Sequence, residues 1–295
     1  MDVHTKKNDY SNKEIRDERR EIIEKLNRDD LSREEKKAIH KEAEASLKKK
    51  RDLRHSEDYG EHWIWRSVAP EHCFIIADEI GKRTHKECTA LVEKTKPRIS
   101  KQHDVVYITD GLSTYETVLK EQYALKVLSK KQASVTDYSK GHKRTSRMVP
   151  DKVDLPENIH YVQSIKHRYP DGRLKNVEKR IVFGDQKRIC TALNISNPLA
   201  FDTNDIERDN LTRRLNLAKL NRKTLRFAKD KTVLRYQISL DRNYHNFCRT
   251  PKPLRQEIPE QERTGKQKFK YRTSAMSIGV TDHIWSLLEL LTYAP

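Results

Sequence analysis

The chain has 295 residues and a formal net charge of +17, with 36% charged and 35% hydrophobic residues, so its supply of core-forming side chains is low. No apolar run approaches the roughly 18 residues of a membrane-spanning helix, and the N-terminus lacks a signal-peptide core, which predicts a cytoplasmic protein without a membrane partner. The excess of positive charge favours a polyanionic partner, and the four scattered cysteines contain no Cys-x-x-Cys zinc motif.

Residues 1–58 are almost wholly polar and rich in Lys, Arg and Glu. Ser32 precedes Glu35 at the spacing of a capping box, which indicates the start of a helix. We therefore predict a charged helical N-terminal extension. Two interpretations stay open for it, a solvated helix surface and a surface that contacts DNA.

The composition changes at residue 59, where short β-type runs begin. Trp63 to Val68 and Cys73 to Ala77 are separated by a Pro-containing stretch, which predicts a hairpin. A helix is expected from Thr84 to Lys96, because Pro97 cannot continue it.

Asp104 to Gly111 is typical of a buried strand that ends in an acidic residue and a glycine turn. A helix is expected to follow from Ser113 to about Glu121. The carboxyl ends of strands are where α/β folds place chemistry, so Asp110 is a candidate catalytic residue. An Asx turn before the helix explains the same residue equally well.

Residues 130–158 show no periodicity and are predicted to be a loop. His160 to Ile165 and Asn176 to Phe183 are predicted to pair as strands, joined through a turn at Pro170-Asp171-Gly172. This hairpin is interpreted as an insertion beside the core, within a region of about 130–200.

A basic helix is predicted from Asn204 to Lys229, about 37 Å long at 1.5 Å per residue. Glu207 stands three positions after Asn204, so it is either a capping-box residue or a metal-binding carboxylate among cations. Helical periodicity places four cations on one stripe of this helix. They are Arg208, Lys219, Arg222 and Arg226.

A second helix is predicted from Val233 to Phe247. Residues 250–272 contain three prolines among charges and are predicted to be extended. Thr281 to Leu291 is predicted to be a short amphipathic helix that docks on the core, so residues 250–295 are treated as a C-terminal tail.

Several motifs in this order resemble the insertion-sequence-one type of DDE transposases. They are Trp63-Ile-Trp65, Gly81-Lys-Arg-Thr84, Thr109-Asp110-Gly111 with Tyr115, Ile206-Glu207-Arg208-x-Asn210, and Arg222-Lys223-Thr224. Asn243-Tyr-His-Asn-Phe-Cys-Arg249, Arg272-Thr-Ser-Ala-Met and Thr281-Asp-His-Ile-Trp285 are similar to the longer members of the group. The resemblance covers about residues 59–292.

This resemblance implies an α/β fold with a ribonuclease H-like mixed sheet, flanking helices and an inserted β-hairpin. In that family two Asp and one Glu bind two divalent ions, Mg²⁺ or Mn²⁺, and the matching positions are Asp110 and Glu207. The basic helix is then expected to hold the DNA backbone. The expected contacts are Arg208, Asn210, Arg213, Arg214, Lys219, Arg222, Lys223 and Arg226.

The chain departs from the family at the first Asp, which normally stands in an Asp-Glu-x-Trp-Ser stretch upstream of the Trp-x-Trp strand. Residues 41–48 contain neither Asp nor Trp, and Glu42, Asp52 and Asp58 are the substitutes considered. Ala43 to Leu53 has to supply the first strand against its helix propensity. The family's zinc ribbon and helix-turn-helix have no recognisable counterpart.

We therefore expect a catalytic domain over residues 59–249 and a DNA transposase that cleaves and joins strands with bound metal ions. The expected partners are double-stranded DNA, as terminal repeats and target, and a second copy in a homodimer. Two alternatives remain: a catalytically silent DNA-binding remnant or repressor, and an RNA-associated protein, since charge alone does not separate DNA from RNA.

Overall fold

The structure, a computed structural model, has mixed α/β architecture built on small sheets. It describes residues 2–5, 20–25, 32–54, 60–137, 143–220, 228, 230–263, 265 and 267–293. Of the expected DNA contacts, Arg222, Lys223 and Arg226 lie outside these residues. Among the residues described, no helix is both long and apolar enough to cross a membrane.

The first sheet is antiparallel, with β2 (Gly60–Ala69) between β1 (Asp2–Thr5) and β3 (Phe74–Gly81). The β2–β3 hairpin confirms the prediction for this region. Its strands keep their register from the Trp63 and Gly81 pair to a β-bulge beyond Ser67. β1 continues the sheet on the other side of β2, with Asp2 opposite Trp63.

The second sheet has the order β4–β7–β8. β4 (Val105–Thr109) pairs in parallel with β7 (Ile159–Arg168), and β7 pairs antiparallel with β8 (Leu174–Phe183). The predicted β7–β8 hairpin is therefore present. It is not an insertion beside the core, because β7 is the middle strand of the sheet and most of its side chains are buried.

Residues 126–154 contain a two-stranded sheet where the sequence predicted a loop. β5 (Lys126–Asp137) pairs antiparallel with β6 (Lys143–Asp154), and the two strands form their own sheet. The loop prediction was wrong because polar residues outnumber apolar ones in both strands, so no apolar alternation marks them. Cross-strand hydrogen bonds define the hairpin instead.

The helices flank the sheets and are α1 (Arg33–Arg54), α2 (His85–Thr95), α3 (Ser113–Tyr123), α4 (Gln186–Leu193), α5 (Asn204–Asn216), α6 (Lys231–Phe247), α7 (Ser274–Ser277) and α8 (Leu287–Thr292). Two very short strands, β9 (Gln256–Glu257) and β10 (Phe269–Lys270), pair within the C-terminal tail. The predictions for α2, α3 and α6 are confirmed. α8 is shorter than predicted, because its capping box starts at Ser286.

A single apolar cluster packs both sheets against α2 and α3. It joins side chains of β2 and β3 to side chains of β4 and β7, so the two sheets lie side by side under the same pair of helices. The buried members are Trp65, Ala77, Cys88, Leu91, Val92, Val118, Leu119, Tyr123, Ile159 and Tyr161. A second cluster packs α6 against the opposite face of β2 and β3 through Ile64, Ile80, Leu234 and Ile238.

The N-terminal region corrects the expected position of the first strand. Residues 43–53 lie within the 22-residue helix α1, so their helix propensity prevails. The strand beside β2 comes instead from residues 2–5, and the region is not wholly helical. The predicted capping box is confirmed, since the Glu35 N–H donates to Ser32 Oγ over 3.3 Å and the Ser32 N–H donates to Glu35 Oε2 over 2.8 Å.

The predicted 25-residue basic helix is also corrected. α5 has 13 residues and ends at Asn216, because Leu217 adopts an extended conformation with φ −111° and ψ 103°. A short 3-10 turn over Ala218–Leu220 follows and buries Leu220 in the α6 cluster. The stripe of four cations drawn on a continuous helix therefore does not exist as predicted.

Buried ion pairs connect α5 and α6 to the first sheet. Arg66 on β2 donates from Nε to Asp78 Oδ1 over 2.5 Å and from Nη1 to Asp209 Oδ2 over 2.8 Å. Arg213 donates from Nε to Asp209 Oδ1 over 3.1 Å and from Nη1 to Asp241 Oδ1 over 3.0 Å. We call these five residues the Arg–Asp network.

The pKa values of Asp209 and Asp241 shift in opposite directions, although burial acts to raise both. Burial disfavours the charged form of Asp209, but the charges of Arg66 and Arg213 outweigh it and lower the pKa of Asp209. Burial dominates at Asp241, whose pKa is raised despite the charge of Arg213. Asp209 therefore depends on two arginines for its charge.

Replacing Arg213 with methionine should lower the free energy of unfolding by about 3–5 kcal/mol, because Asp209 and Asp241 stay buried but lose the guanidinium that pairs with them. Urea denaturation followed by circular dichroism measures the change. Arg208→Met, on the exposed side of the same helix, is the matched control and should stay within about 0.5 kcal/mol of the parent. Equal effects of the two substitutions would contradict a structural role for Arg213.

Candidate active site

Asp110 directly follows β4 and begins the turn into α3. Its Oδ1 accepts a hydrogen bond from the Leu112 N–H over 3.1 Å, which is the Asx turn considered from the sequence. Its Oδ2 lies 3.9 Å from Nη2 of Arg83, and the side chain is 62% exposed. The turn thus uses one carboxylate oxygen and leaves the other for a cation.

Glu207 lies in the first turn of α5, with its side chain 53% exposed. The ammonium of Lys166 on β7 donates to Oε1, and Thr203 Oγ1 donates to the same oxygen over 3.0 Å. The hydrogen bond from Lys166 is the main cause that lowers the pKa of Glu207, against the opposing effect of partial burial. Glu207 is therefore ionised at neutral pH.

The capping-box interpretation of Glu207 is not supported at this helix start. Thr203, not Asn204, is the N-cap residue, and its side chain makes no capping bond to the backbone. Asn204 instead donates its backbone N–H to Asp202 Oδ1 over 2.9 Å. The carboxylate of Glu207 is directed to Lys166 and Thr203, so its interactions are with side chains rather than with the helix terminus.

Both acids lie near the same stretch of β7. Thr109, which precedes Asp110, is in register with Gln163. Gly111 packs so closely on Ile165 that an added Cβ would lie 3.0 Å from Cγ1 and Cγ2 of Ile165. Since Glu207 bonds to the next residue of β7, the structure brings the two sequence-predicted acids to one end of this strand.

A chain of hydrogen bonds fixes the peptide that carries Asp110. Arg180 Nε donates to Gln163 Oε1 over 2.7 Å, and Gln163 Nε2 donates to the Tyr161 hydroxyl over 2.6 Å. The Thr109 hydroxyl donates to the Asp110 carbonyl over 2.9 Å, so the Tyr161 hydroxyl donates to Thr109 Oγ1 over 2.8 Å. Gln163 and Tyr161 are fully buried, and the chain holds the end of β4 rigid.

Asp2 is an acid that motif matching missed. The backbone of Asp2 stands opposite Trp63 in the first sheet. The guanidinium of Arg83 lies over the Trp63 ring, 4.6 Å from its centroid, and the same guanidinium faces Asp110. The backbone of Asp2 therefore lies opposite Trp63, whose ring the Arg83 guanidinium covers. The sequence signal for this strand was the short run from Asp2 to Thr5. Local sequence patterns do not show that this run pairs with a strand some 60 residues away.

The cations close to Glu207 include residues that the sequence did not single out. Lys166 bonds to Glu207, and the charge of Arg168 also lowers the pKa of Glu207. Both residues belong to the β7–β8 hairpin, whose described residues 166–180 carry six Lys or Arg and two acids. This hairpin places a net positive charge beside Glu207.

The expected DNA contacts of α5 divide into two groups. Arg208 is exposed, and Asn210, Arg214 and Lys219 are partly exposed. Arg213 is only 1% exposed and is held by Asp209 and Asp241, so it cannot reach a DNA backbone. Its partners lie on two helices, and helical spacing alone could not show that this arginine faces the core.

The donor set suits a hard divalent cation, since exposed carboxylate oxygens are the ligands that Mg²⁺ and Mn²⁺ prefer. Among the residues described, no three His, Cys, Asp or Glu side chains are already grouped to hold a metal ion. Asp110 and Glu207 each contact a cationic side chain instead. Metal binding at these acids requires them to exchange Arg83 and Lys166 for the ion.

Replacing Lys166 with glutamine should raise the pKa of Glu207 towards its ordinary value, because the main hydrogen bond to the carboxylate becomes weaker and uncharged. Carboxyl ¹³C chemical shifts followed through a pH titration measure this pKa. Lys187→Gln, on the exposed side of α4, removes the same charge and should leave the Glu207 titration unchanged. An unchanged titration in Lys166→Gln would contradict the contact.

The structure thus brings Asp110 and Glu207 to one end of β7, with cationic side chains beside each. No family model, no curated protein and no solved structure matches this chain. The likeness to DDE transposases therefore remains an expectation from sequence motifs. The positions of these acids and cations are the basis on which a function can be inferred.

Proposed function

We propose that this protein is a DDE-type DNA transposase that cleaves and joins DNA strands in a metal-dependent reaction. The observation that carries the proposal is the apolar cluster that both sheets share under α2 and α3. A ribonuclease H-like sheet requires β1 and β4 to be neighbours, in the order β3–β2–β1–β4–β7, whereas the structure keeps them in separate sheets. Three antiparallel strands followed by two parallel ones form the core expected of a ribonuclease H-like sheet.

This arrangement supports a site whose carboxylates come from distant parts of the chain. Asp110 ends β4, and Glu207 lies on the helix beside β7. We propose these two residues as metal ligands, and Asp2, which belongs to β1, as the position to test for the first Asp missing from residues 41–48. Of the substitutes considered from the sequence, Glu42 and Asp52 lie in α1, and Asp58 lies outside the described residues.

Two bound divalent ions supply activation of the attacking hydroxyl and stabilisation of the leaving oxygen in phosphodiester displacement. The protein's part is to hold the acids and bind the substrate phosphates. The Arg180 to Thr109 hydrogen-bond chain positions Asp110, and the Arg–Asp network positions α5 with Glu207. Arg83, Lys166 and Arg168 are suited to contact phosphate once the carboxylates bind metal.

The proposed substrate is double-stranded DNA, with terminal repeats and target DNA as its two forms, and the net charge of +17 supports a polyanionic partner. A homodimer is proposed by analogy, because two DNA ends require two sites. A cytoplasmic location is proposed with it.

A specific observation favours the alternative of a catalytically silent DNA-binding protein: both acids are paired with cations.

Nicking of supercoiled plasmid in Mg²⁺ or Mn²⁺ tests the proposal. Asp2→Asn, Asp110→Asn and Glu207→Gln should each reduce the nicking rate at least about 100-fold. Removing a residue that only orients a metal ligand costs about 10- to 100-fold, and removing the ligand itself costs more. Asp205→Asn, an exposed acid of the same helix turn, is the matched control and should retain activity. A chelator should abolish nicking by the parent protein.

Three results would contradict parts of this proposal. Nicking that survives in Asp110→Asn and Glu207→Gln would place the reaction elsewhere. Loss of nicking in these two variants, but not in Asp2→Asn, would remove Asp2 from the site. Salt-dependent DNA binding by a parent protein that does not nick would favour the catalytically silent alternative.

A further inference from the structure

The two-stranded sheet of β5 (Lys126–Asp137) and β6 (Lys143–Asp154) is named here the β5–β6 arm. Each strand has 12 residues, about 40 Å at 3.4 Å per residue. The arm packs against α3 through the middle of β6, where Val149 is buried and Arg147 bonds to Glu121 on α3. Lys120 of α3 also donates to the Asp151 carbonyl over 3.1 Å.

The arm is strongly basic. Its described strands carry seven Lys or Arg residues against three Asp, a net charge of +4. Arg147 and Lys131 are engaged with Glu121 and Asp151 respectively. Lys126, Lys130 and Lys152 are exposed.

One face of the arm is turned away from α3. Strand register places Lys131 opposite Val149 and Ala133 opposite Arg147, which are on the attached face. Alternation puts the next pairs, Gln132 with Met148 and Ser134 with Ser146, on the other face, together with Lys130. All five of these side chains are exposed, and none is acidic.

We propose that the outward face of the β5–β6 arm binds duplex DNA by lying along its phosphates and entering the major groove. This inference rests on DNA being the substrate in the proposed function. A two-stranded ribbon fits the major groove, and Lys, Ser and Gln side chains are donors suited to phosphate oxygens. An isolated pair of strands is marginally stable in water, so a partner along this face also stabilises the arm.

The positive charge of the arm favours DNA over a second copy of the chain as the partner that binds this face. A second copy presents an arm with the same charge of +4 on a chain of net charge +17, so pairing of two arms is opposed by like-charge repulsion. DNA presents a regular array of negative charge along a length comparable to that of the arm.

Fluorescence anisotropy with a 30-base-pair duplex of arbitrary sequence, measured over a series of salt concentrations, tests the arm. The double variant Lys130→Gln, Lys152→Gln should bind about 10-fold more weakly and lower the slope of log K against log salt by up to about 2. The double variant Lys252→Gln, Lys268→Gln removes the same charge from exposed sites of the C-terminal tail and should bind like the parent. Lys130→Arg with Lys152→Arg should retain binding.

Equal effects of the arm and tail variants would overturn the inference, as would tighter binding of matched duplex RNA or anionic vesicles than of DNA. Plasmid nicking separates this result from the proposed function. Arm-dependent DNA binding without nicking would leave the inference in place and overturn the catalytic proposal. Metal-dependent nicking by the parent protein, together with unaltered DNA binding by the arm variant, would support the catalytic proposal and overturn the inference about the arm.

Discussion

The buried Arg–Asp network determines how the helix that carries Glu207 sits on the first sheet. Arg66 on β2 and Arg213 on α5 both bond to Asp209, and Arg213 continues to Asp241 on α6. A buried charge without its partner costs several kcal/mol, so arrangements of α5 and α6 that separate these groups are strongly disfavoured. The buried network therefore fixes the orientation of α5, and Glu207, two residues before Asp209, is held in place with the helix.

The acids of the candidate active site are stabilised by cations that also suit the proposed substrate. Asp110 faces Arg83, and Glu207 bonds to Lys166. Each pair places a cationic side chain against a partly exposed carboxylate. Under the proposed function, the same cations are suited to contact substrate phosphates.

Local patterns in the sequence predicted the elements whose signals are local. The β2–β3 hairpin, α2 before Pro97, α3 after Asp110 and the β7–β8 hairpin all follow from β-type runs, a helix stop or a turn motif. These four elements share a cause, since each is specified by residues close to it in the sequence. Asp110 and Glu207 were identified from motifs, and their catalytic role stays a prediction.

The errors arise where distant contacts decide the structure. The pairing of β1 with β2 joins Asp2 to Trp63, so no local signal marks Asp2 as part of the sheet. The basic helix ends at Asn216 because Leu220 packs into the α6 cluster. Arg213 is buried by Asp241, 28 residues away. The β5–β6 arm escaped detection because its strands are polar on both faces.

Paramagnetic broadening by Mn²⁺ most directly tests the proposal that Asp110 and Glu207 share one metal site. Substoichiometric Mn²⁺ is added to isotope-labelled protein, and the amide signals that broaden are mapped on the sequence. The account predicts that signals around both acids broaden together, recover with excess Mg²⁺, and stay sharp in Glu207→Gln. Broadening around only one of the two acids, or broadening that centres on another acidic surface, would contradict it.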